Sequence, residues 1–517
     1  MTGGVNLERI LLGGEDGRRD TPLTALAKID RNFREIGDQL RGAFVSLRSF
    51  GLRSHEDSPN FDNTSRLISA IDSGEPLLLP RGTFLYESLT GVDGMRIAGM
   101  GARSILKLAD GADTHCLSLT DIEDVEVCDL TIDGNRAGQA ALGHGIRVQG
   151  TTLVRVRSVN ILNAPNYGIG VIGTGGVTGL YIDDVYIEDS GADGIDIKNQ
   201  DDINEDIRIS NLTVNGFDGS AVGAKAGVDV RGPVRLNNIQ VFDTTPGNLS
   251  ACIRFREGEP VSAVNGEGGF RSVLTNFRCI TSAGAVASTG LTVNADRISI
   301  ANGYIEGNAS IYGASIGGSK NVIDNLQIAT AAVGIRFNYT DADLDSSDNR
   351  VSNFVISDAA IGIDVRDNCD RNSLHQGSFF DCPTALRILA ADDTFIGGGM
   401  QFVGCAAPIN DAGTRTKIGG NGIGGLTVEA SLLSDALACD STGTRVTAIT
   451  HGLTYTPDPK DVALSIIQDT AVADPRFNLL RVDGCSSTTI TVRAVVLNAS
   501  ATGGATFRIG ARVRVKA

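Results

Sequence analysis

Several features of helical proteins are scarce or absent in this chain of 517 residues. It contains no tryptophan, four methionines and only 5% aromatic residues. It does contain 64 glycines and abundant Asn, Asp, Ile and Val, a composition typical of short strands joined by tight turns. Because a single core seldom grows to this length, we expect either several domains or a solenoid built from repeats.

Long hydrophobic runs are also missing. Runs such as PLLLP at 76–80 are far too short to cross a bilayer, and the opening MTGGVNLERILLGGEDG lacks the basic start and apolar core of a signal peptide. Basic residues number 45 against 61 acidic ones, and the resulting net charge of −16 disfavours general binding to nucleic acid or to anionic membranes. We therefore expect a soluble protein made in the cytosol, with no nucleic-acid partner and no membrane insertion.

Cysteine pairs of the CxxC type are absent, and the nine cysteines are scattered. This pattern indicates buried, reduced side chains rather than a disulfide framework or a zinc site. Asp341, Asp343 and Asp345 in DADLDSSDN suggest a calcium loop but lack its Gly and Glu, which favours a solvated turn. His144, His375 and His451 share no motif, so we expect neither a metal nor another cofactor.

The strongest positive signal is an internal repeat. One strand pattern alternates apolar residues with a polar or small one, and it recurs as HGIRV at 144, YGIGV at 167, DGIDI at 193, AGVDV at 226, ACIRF at 251, VGIRF at 333, IGIDV at 361 and TALRI at 384. A second pattern places a polar residue between two short strands, and its centres are Asp129, Ser158, Asp184, Asn211, Asn238, Asn276, Asn302, Asn325 and Asn353. Most centres are separated by 23 to 29 residues.

A period of this length, with two or three short strands per repeat, predicts a right-handed parallel β-helix whose strands stack about 4.8 Å apart from coil to coil. The polar centres then mark sharp turns, because Asn tolerates the left-handed conformation and stacked amides can hydrogen-bond between coils. We interpret this column as scaffold rather than as a functional site.

The two ends depart from the repeat. Residues 20–42 form a helical pattern with one apolar stripe, which favours self-association or docking. Residues 45–90 predict a short strand, a helix around 64–72 and an end cap for the solenoid, which would otherwise expose a free strand edge. After 425 the repeat stops, and alternating strands predict a small β-sandwich.

Three segments carry a family resemblance. VSLRSFG and DNTSRLISAIDSGEPLLLPRGTF resemble the opening of pectate-lyase-like β-helix domains, GRRDTPLTALAKIDRNFREI resembles the N-terminal stretch of bacteriophage tail proteins, and HGLTYTPDPKDVAL resembles a C-terminal module of phage tail fibres and spikes. The resemblance implies four units: a virion-attachment segment at 1–44, a neck and cap at 45–100, a polysaccharide-binding parallel β-helix at 101–424, and a C-terminal β-sandwich for trimerisation or receptor binding at 425–517.

By the same resemblance, the protein is expected to be a homotrimeric tailspike of the virion, made in the host cytoplasm. Its N terminus would attach to phage tail or baseplate proteins, and it would recognise, and often cleave, a bacterial surface polysaccharide.

Candidate chemistry lies in the first strand pattern. Aligning its apolar residues gives an outward column that contains Arg147, Gly170, Asp196, Asp229, Arg254, Arg336, Asp364 and Arg387. Asp196 and Asp229 would lie roughly 5 Å apart on neighbouring coils, close to the separation of the two carboxyl groups in retaining glycosidases. Two charges so close raise one pKa, so one carboxyl could act as general acid while Arg254 keeps the other ionised.

The flanking residues suggest substrate binding. Lys198, Arg231, Arg254 and Arg256 are expected to bind the carboxylates of an acidic polysaccharide. Tyr167 and Tyr181 are expected to stack on sugar rings. The alternative is that Asp and Arg alternate between coils only to balance the charge of a solvated sheet, and the sequence leaves both interpretations open.

Asp193 is a third candidate because ADGIDI resembles the first acidic motif of polygalacturonases, in which the aspartate before GIDI is catalytic. The next coil carries Lys225 and Ala226 where that family has paired aspartates, which argues against polygalacturonase chemistry. Glu257, Glu259 and Glu267 in an inserted loop are further possible acids. The function therefore predicted is glycosidic hydrolysis by a tailspike, with a non-catalytic receptor-binding spike and a free polysaccharide lyase or epimerase as alternatives.

Overall fold

A computed structural model gives the structure of residues 44–418, except 141–142, 174, 199–203, 218–224, 244–249, 257–271, 282–288, 308–311, 338–345, 368 and 415, together with seven segments of the C-terminal region: 427–433, 437–438, 443–450, 462–468, 477–486, 489–496 and 506–514. The apolar helical pattern at 20–42, the three glutamates of the inserted loop and the Asp341–Asp345 segment lie outside these described residues.

The described part of the chain begins with the predicted cap. Its elements are the strand β1 (Val45–Ser46), a 3₁₀ helix (Leu47–Phe50), the helix α1 (Thr64–Ile71), β2 (Leu77–Leu79) and β3 (Gly82–Tyr86). Leu67, Ala70 and Ile71 form the buried side of α1 and join the hydrophobic core. The helix expected around 64–72 is thus confirmed, and it covers apolar side chains at the first coils.

A parallel solenoid follows. Its strands are β4 (Arg96–Gly99), β5 (Ser104–Leu108), β6 (Leu117–Thr120), β7 (Glu123–Cys128), β8 (Thr131–Asp133), β9 (Ile146–Gln149), β10 (Thr152–Leu162), β11 (Ile169–Val171), β12 (Thr178–Ser190), β13 (Ile195–Ile197), β14 (Ile207–Phe217), β15 (Lys225–Arg231), β16 (Val234–Asp243), β17 (Ser250–Arg256), β18 (Val273–Thr281), β19 (Thr289–Asn294), β20 (Ser299–Glu306), β21 (Tyr312–Ile316), β22 (Val322–Phe337), β23 (Arg350–Ser352), β24 (Val355–Val365), β25 (Ser373–His375), β26 (Ser378–Phe380), β27 (Thr384–Asp392), β28 (Phe395–Ile396), β29 (Gln401–Val403), β30 (Ala407–Thr414) and β31 (Lys417–Ile418). A second 3₁₀ helix spans Arg136–Gly138.

These strands form three parallel ladders. The ladder that matters for function, which we call the site face, runs through β6, β9, β11, β13, β15, β17, β19, β21, the ends of β22 and β24, then β27 and β30. Along it Ile169 pairs with Ile195, Ile195 with Val228, and Val228 with Ile253. All four side chains are buried, so one apolar column stacks inside the solenoid from coil to coil.

The polar turn column is confirmed as scaffold. Every predicted centre, from Asp129 to Asn353, adopts a left-handed backbone with φ between 52° and 57°. Asn238 donates its side-chain amide to Asn211 Oδ1 at 2.7 Å, and Asn325 donates to Asn302 Oδ1 at 2.9 Å. The column therefore supplies both the sharp turn and a hydrogen-bond ladder between coils.

The C-terminal strands are antiparallel. They are β32 (Thr427–Leu433), β33 (Leu437–Ala438), β34 (Gly443–Thr450), β35 (Val462–Gln468), β36 (Phe477–Cys485), β37 (Thr489–Val496) and β38 (Thr506–Arg514). One sheet contains β32, β33, β35 and β38, and the other contains β34, β36 and β37. The predicted fold class, a parallel β-helix followed by a C-terminal unit of two β-sheets, is confirmed.

Two smaller expectations concern cysteine and membranes. Of the eight cysteines in the described residues, six are buried, and Cys405 and Cys485 are half-buried. Within the described residues no helix has the length and apolar character needed to span a bilayer.

Candidate active site

Three carboxylates meet on the site face. Asp193 precedes β13, Asp196 lies at its centre, and Asp229 lies on β15 as the direct register partner of Asp196. One oxygen from each lies within 4.8 Å of the others. We call these three residues the carboxylate cluster.

The strand pattern explains why these side chains point away from the solenoid core. Ile195 and Ile197 flank Asp196, and Val228 and Val230 flank Asp229, and all four apolar side chains belong to the core. Because successive residues of a strand point to opposite sides, the two aspartates point outward, as the sequence predicts. Gly194 belongs to this arrangement, since a Cβ there would lie 2.6 Å from the carbonyl oxygen of Gly227 on the next coil.

The outward side of this face is not solvated as an ordinary exposed strand would be. Asp193, Asp196 and Asp229 are only 3%, 1% and 0% exposed. Buried charge is costly unless it is paired, so the pairing of each carboxylate determines its protonation. The burial removes the basis of the solvated-sheet interpretation for these three positions.

Asp229 is strongly paired. Arg254 Nη2 donates to its Oδ2 at 2.8 Å, and Arg256 donates through Nε to Oδ1 at 3.1 Å and through Nη2 to Oδ2. Arg231 Nη2 lies 3.9 Å from Oδ2. Burial alone raises the pKa of Asp229, but Arg254 and Arg256 outweigh it and hold that pKa below its usual value, so this carboxyl stays ionised.

Asp193 and Asp196 behave in the opposite way. Burial, aided by the charges of Asp229 and Asp196, raises the pKa of Asp193 to about 7, although Arg254 lies 3.9 Å away and the backbone N–H of Ala226 donates to it. Burial and the charge of Asp229 likewise raise the pKa of Asp196. Asp196 has Lys198 Nζ at 3.7 Å from Oδ2, while its buried Oδ1 has no hydrogen-bond partner.

An aromatic stack adjoins the cluster on the preceding coils. The Tyr167 ring lies 4.8 Å from the His144 ring with a 16° angle between planes, and His144 lies 4.6 Å from His115. Lys198 Nζ lies 5.5 Å from the Tyr167 ring centroid. Burial, aided by His115 and Arg147, lowers the pKa of His144 to about 3, so this imidazole is neutral near neutral pH.

The structure thus brings together most of the residues that the sequence predicts for the site. Lys198, Arg231, Arg254 and Arg256 all contact the cluster, and half-buried Tyr167 lies beside it. Tyr181 does not join them. It lies on β12 in a different ladder, where it donates to Asp206 Oδ2 at 2.6 Å and Arg208 packs over its ring.

The sequence predicts Tyr167 and Asp193 as site residues, but the stack of Tyr167 on His144 and His115 was not predicted, nor was the column formed by the residue before each glycine. His144, Tyr167 and Asp193 occupy that position in HGIRV, YGIGV and DGIDI, so they form a second column beside the outward one. A comparison of that position between repeats would have grouped them. It would also have placed Asp193 next to Asp196 without any family resemblance.

The cluster is also the acidic group in the described residues compact enough to hold a cation. Arg254, Arg256 and Arg231 already place positive charge against it, which weakens the attraction for a metal ion. The donor set therefore fits proton transfer between carboxyl groups better than metal binding.

No family model matches the sequence, and no curated protein matches it either. Several solved structures are similar to this chain in fold. The N-terminal fragment of gene product 12 of bacteriophage phi29 has a TM-score of 0.50 and 15% identity, covering 74% of this chain and 74% of that chain. A double mutant of the tailspike protein of E. coli bacteriophage HK620, in complex with pentasaccharide, has a TM-score of 0.51 and 10% identity, covering 92% of this chain and 95% of that chain.

The chain spans 59% of the pre-mature phi29 gene product 12, with a TM-score of 0.49, 15% identity and 74% of this chain covered. At such identities the likeness establishes the fold. The chain shares the parallel β-helix fold with the phi29 gene product 12 fragment and with the HK620 tailspike double mutant.

Proposed function

We propose that this chain is a bacteriophage tailspike that binds a bacterial surface polysaccharide and cleaves it by glycosidic hydrolysis. The observation that carries the proposal is the division of protonation within the carboxylate cluster. Asp229 is held ionised by two arginines, whereas burial raises the pKa of Asp193 to about 7. A glycosidase requires a protonated carboxyl group beside an ionised one, and Asp196, whose ionised form is favoured by Arg231 and by Lys198 at 3.7 Å, is the second group of the proposed pair.

The geometry supports a retaining mechanism. Oxygens within 4.8 Å leave little room for a water molecule between the two groups, and inverting enzymes need about 6.5–9.5 Å. Asp193 would give its proton to the glycosidic oxygen as the bond to the anomeric carbon breaks. Asp196, whose Oδ1 is free of partners, would form a covalent bond to that carbon. Water activated by the Asp193 carboxylate would then attack the anomeric carbon, release the sugar and return the proton to Asp193.

Asp229 has a supporting role in this mechanism. Its oxygens are occupied by Arg254 and Arg256, so it is poorly placed to attack a sugar. Its fixed negative charge opposes ionisation of both neighbours and so helps to keep Asp193 protonated, whereas Arg231, Lys198 and Arg256 favour the ionised form of Asp196 that the nucleophile needs. The half-buried side chains of Tyr167, Lys198 and Arg256 form the accessible rim through which a saccharide would approach.

The fold likeness supports the biological setting. The HK620 tailspike protein, similar to this chain in fold, is described in complex with pentasaccharide. A homotrimer attached through its N-terminal segment to phage tail or baseplate proteins is part of the proposal, and the apolar stripe at 20–42 supports it. Light scattering of the full chain and of a chain lacking 1–43 tests this point, and a monomeric full chain would contradict it.

A non-catalytic receptor-binding spike is the second candidate. It is favoured by the low exposure of all three carboxylates, at most 3%. One experiment separates the two functions. The purified full chain is incubated with a panel of capsular, exopolysaccharide and lipopolysaccharide preparations, and binding, new reducing ends and unsaturated products are measured.

New reducing ends without unsaturation would support hydrolysis, and unsaturated ends would instead indicate a lyase. Binding without any product would establish the receptor-binding spike. The variants Asp193→Asn and Asp196→Asn serve to locate the activity. The control is Asp364→Asn, because Asp364 is equally buried on the same face and paired with arginines but belongs to no group of three carboxylates among the described residues.

A further inference from the structure

The four cations expected to bind an acidic polysaccharide are largely engaged by the protein itself. Lys198 pairs with Asp196, Arg231 and Arg256 pair with Asp229, and Arg254 contacts both Asp229 and Asp193. These side chains compensate buried carboxylates, so little of their charge remains for a ligand. Recognition of an acidic polymer on this face therefore needs other cations.

Arg336 is one such cation. It lies on β22 in register between Ser315 and Asp364, yet it does not pair with Asp364. Both oxygens of Asp364 are occupied, because Arg387 donates to Oδ1 and Oδ2 at 2.8 Å each and Arg366 donates to Oδ2 at 2.8 Å. Arg336 is turned the other way, toward the coil of Tyr312.

The surroundings of Arg336 resemble a binding site that lacks its ligand. Nη1 donates to the Tyr312 hydroxyl at 2.8 Å, and the guanidinium lies 5.0 Å from that ring centroid. The buried Nε has no hydrogen-bond partner, and neither has the Oγ of Ser315, a residue that is 0% exposed. Within the described residues Arg336 takes part in no ion pair.

Arg147, on the other side of the carboxylate cluster, is a second arginine with no carboxylate partner among the described residues. It occupies the same outward column, two coils before Asp196, and it donates to Gln149 Oε1. Its buried Nε has no hydrogen-bond partner, and among the described side chains it has no carboxylate partner. Coils stack about 4.8 Å apart, which places Arg147 roughly 10 Å before Asp196 and Arg336, four coils on, roughly 19 Å beyond Asp229.

We propose that Arg336, with Tyr312 and Ser315, and Arg147 on the opposite side of the cluster bind carboxylates of a uronate-containing polysaccharide that lies along the site face. This inference rests on the proposed function and narrows its substrate to an acidic polysaccharide. A guanidinium group binds a carboxylate through two parallel hydrogen bonds, and hydroxyl groups such as those of Tyr312 and Ser315 can donate to the same oxygens. An acidic polymer repeats its carboxylates along its length, so two separated arginines in one column can hold one chain across the cluster.

The test uses the full chain and bacterial surface polysaccharides immobilised in two forms, native and carboxyl-reduced, so that each uronate is compared with its neutral alcohol. We expect binding to native acidic polysaccharide, with affinity that falls at high salt and falls at least tenfold on carboxyl reduction. Arg336→Gln and Arg147→Gln should each weaken binding to the native form roughly tenfold and leave the already weak binding to the reduced form unchanged.

Arg387→Gln is the matched control, because Arg387 lies in the same column but is paired with Asp364, which keeps Arg366 as a partner. It should leave affinity unchanged. Arg336→Lys retains the charge without the planar fork and should recover part of the affinity, which shows that a loss in Arg336→Gln does not come from misfolding. A melting curve of each variant checks folding directly.

Failure of this inference is distinguishable from failure of the proposed function. Binding or cleavage of neutral and carboxyl-reduced polysaccharide as well as of the native form, with Arg336→Gln and Arg147→Gln unaffected, would overturn the acidic-substrate inference and leave the tailspike function standing. Absence of binding to every polysaccharide in the panel would overturn both.

Discussion

Asp196 and Asp229 are direct register partners on neighbouring coils, yet their oxygens have opposite surroundings. Asp229 accepts hydrogen bonds from Arg254 and Arg256, whereas the buried Oδ1 of Asp196 has no partner. The two surroundings differ because Arg254 and Arg256, on the following strand β17, both point toward Asp229 and not toward Asp196. In the proposed mechanism Asp229 is therefore a fixed structural charge, and Asp196 acts together with Asp193.

Replacement of the cluster residues should separate these roles. Asp193→Asn removes the proposed proton donor and should reduce the rate of reducing-end release by about 10²–10⁴. Asp196→Asn should abolish release to a similar or greater extent, because an amide cannot form the glycosyl intermediate. The measurement is release rate on the polysaccharide found to be cleaved. Wild-type rates in both variants would exclude these residues, and a matching loss in Asp364→Asn would indicate a general effect of burial instead.

The pH profile should report the proton on Asp193. Its pKa is raised by burial to about 7, so the acid form is lost as pH rises through that value. We expect kcat/KM to fall about tenfold per pH unit well above pH 7. On the acid side activity should also fall, because Asp196 must be ionised and its pKa is raised as well. A residual activity of Asp193→Asn that keeps the same alkaline limb would assign that limb to another group.

Stability should depend on Asp229 rather than on exposed ion pairs. Asp229→Asn leaves Arg254 and Arg256 without their shared partner in a buried site, and we expect it to lower the free energy of unfolding by about 3–5 kcal/mol near pH 7. The folded pKa of Asp229 is depressed, so its contribution is present above the unfolded pKa and is lost as pH falls. The loss occurs between the unfolded pKa of an aspartate, about 4, and the lower folded pKa, so denaturant unfolding at pH 7 and at pH 2 should show a smaller effect of the variant in acid.

Asp206→Asn is the comparison for this measurement. Asp206, directly before β14, accepts a hydrogen bond from Arg208 at 2.7 Å, and because both side chains are exposed its loss should change stability little. Equal losses of unfolding free energy in the two variants would show that burial does not determine how much these ion pairs contribute to stability.

The fold could be predicted from the sequence because each coil repeats the same pattern of apolar residues and polar turn residues. The left-handed turn at Asn211 and the alternation of Ile195, Asp196 and Ile197 are local patterns, and parallel stacking carries them from one coil to the next. Register then follows without further information, which is why the Asp196–Asp229 pairing could be placed correctly.

The parts of the site that were not predicted depend on side-chain direction rather than on register. Register places Arg336 beside Asp364, but the guanidinium turns to Tyr312 because two other arginines already occupy that carboxylate. Tyr181 was a candidate because its ring could stack on a sugar, but it lies on another ladder. The burial of the outward column could not be predicted either, because an alternating pattern by itself predicts that outward side chains are exposed.

The turn column offers a last test of the scaffold. Asn302 has φ of 57°, donates to Asn276 Oδ1 at 3.2 Å and accepts from Asn325 at 2.9 Å. Asn302→Gly loses both hydrogen bonds but keeps the left-handed turn, whereas Asn302→Ala loses the bonds and also strains the backbone by about 1–2 kcal/mol. We therefore expect Ala to lower the unfolding free energy more than Gly by that amount in denaturant titrations. Equal losses in the two variants would mean that the turn does not require the left-handed conformation, and a negligible loss in Gly would show that the amide ladder adds little to stability.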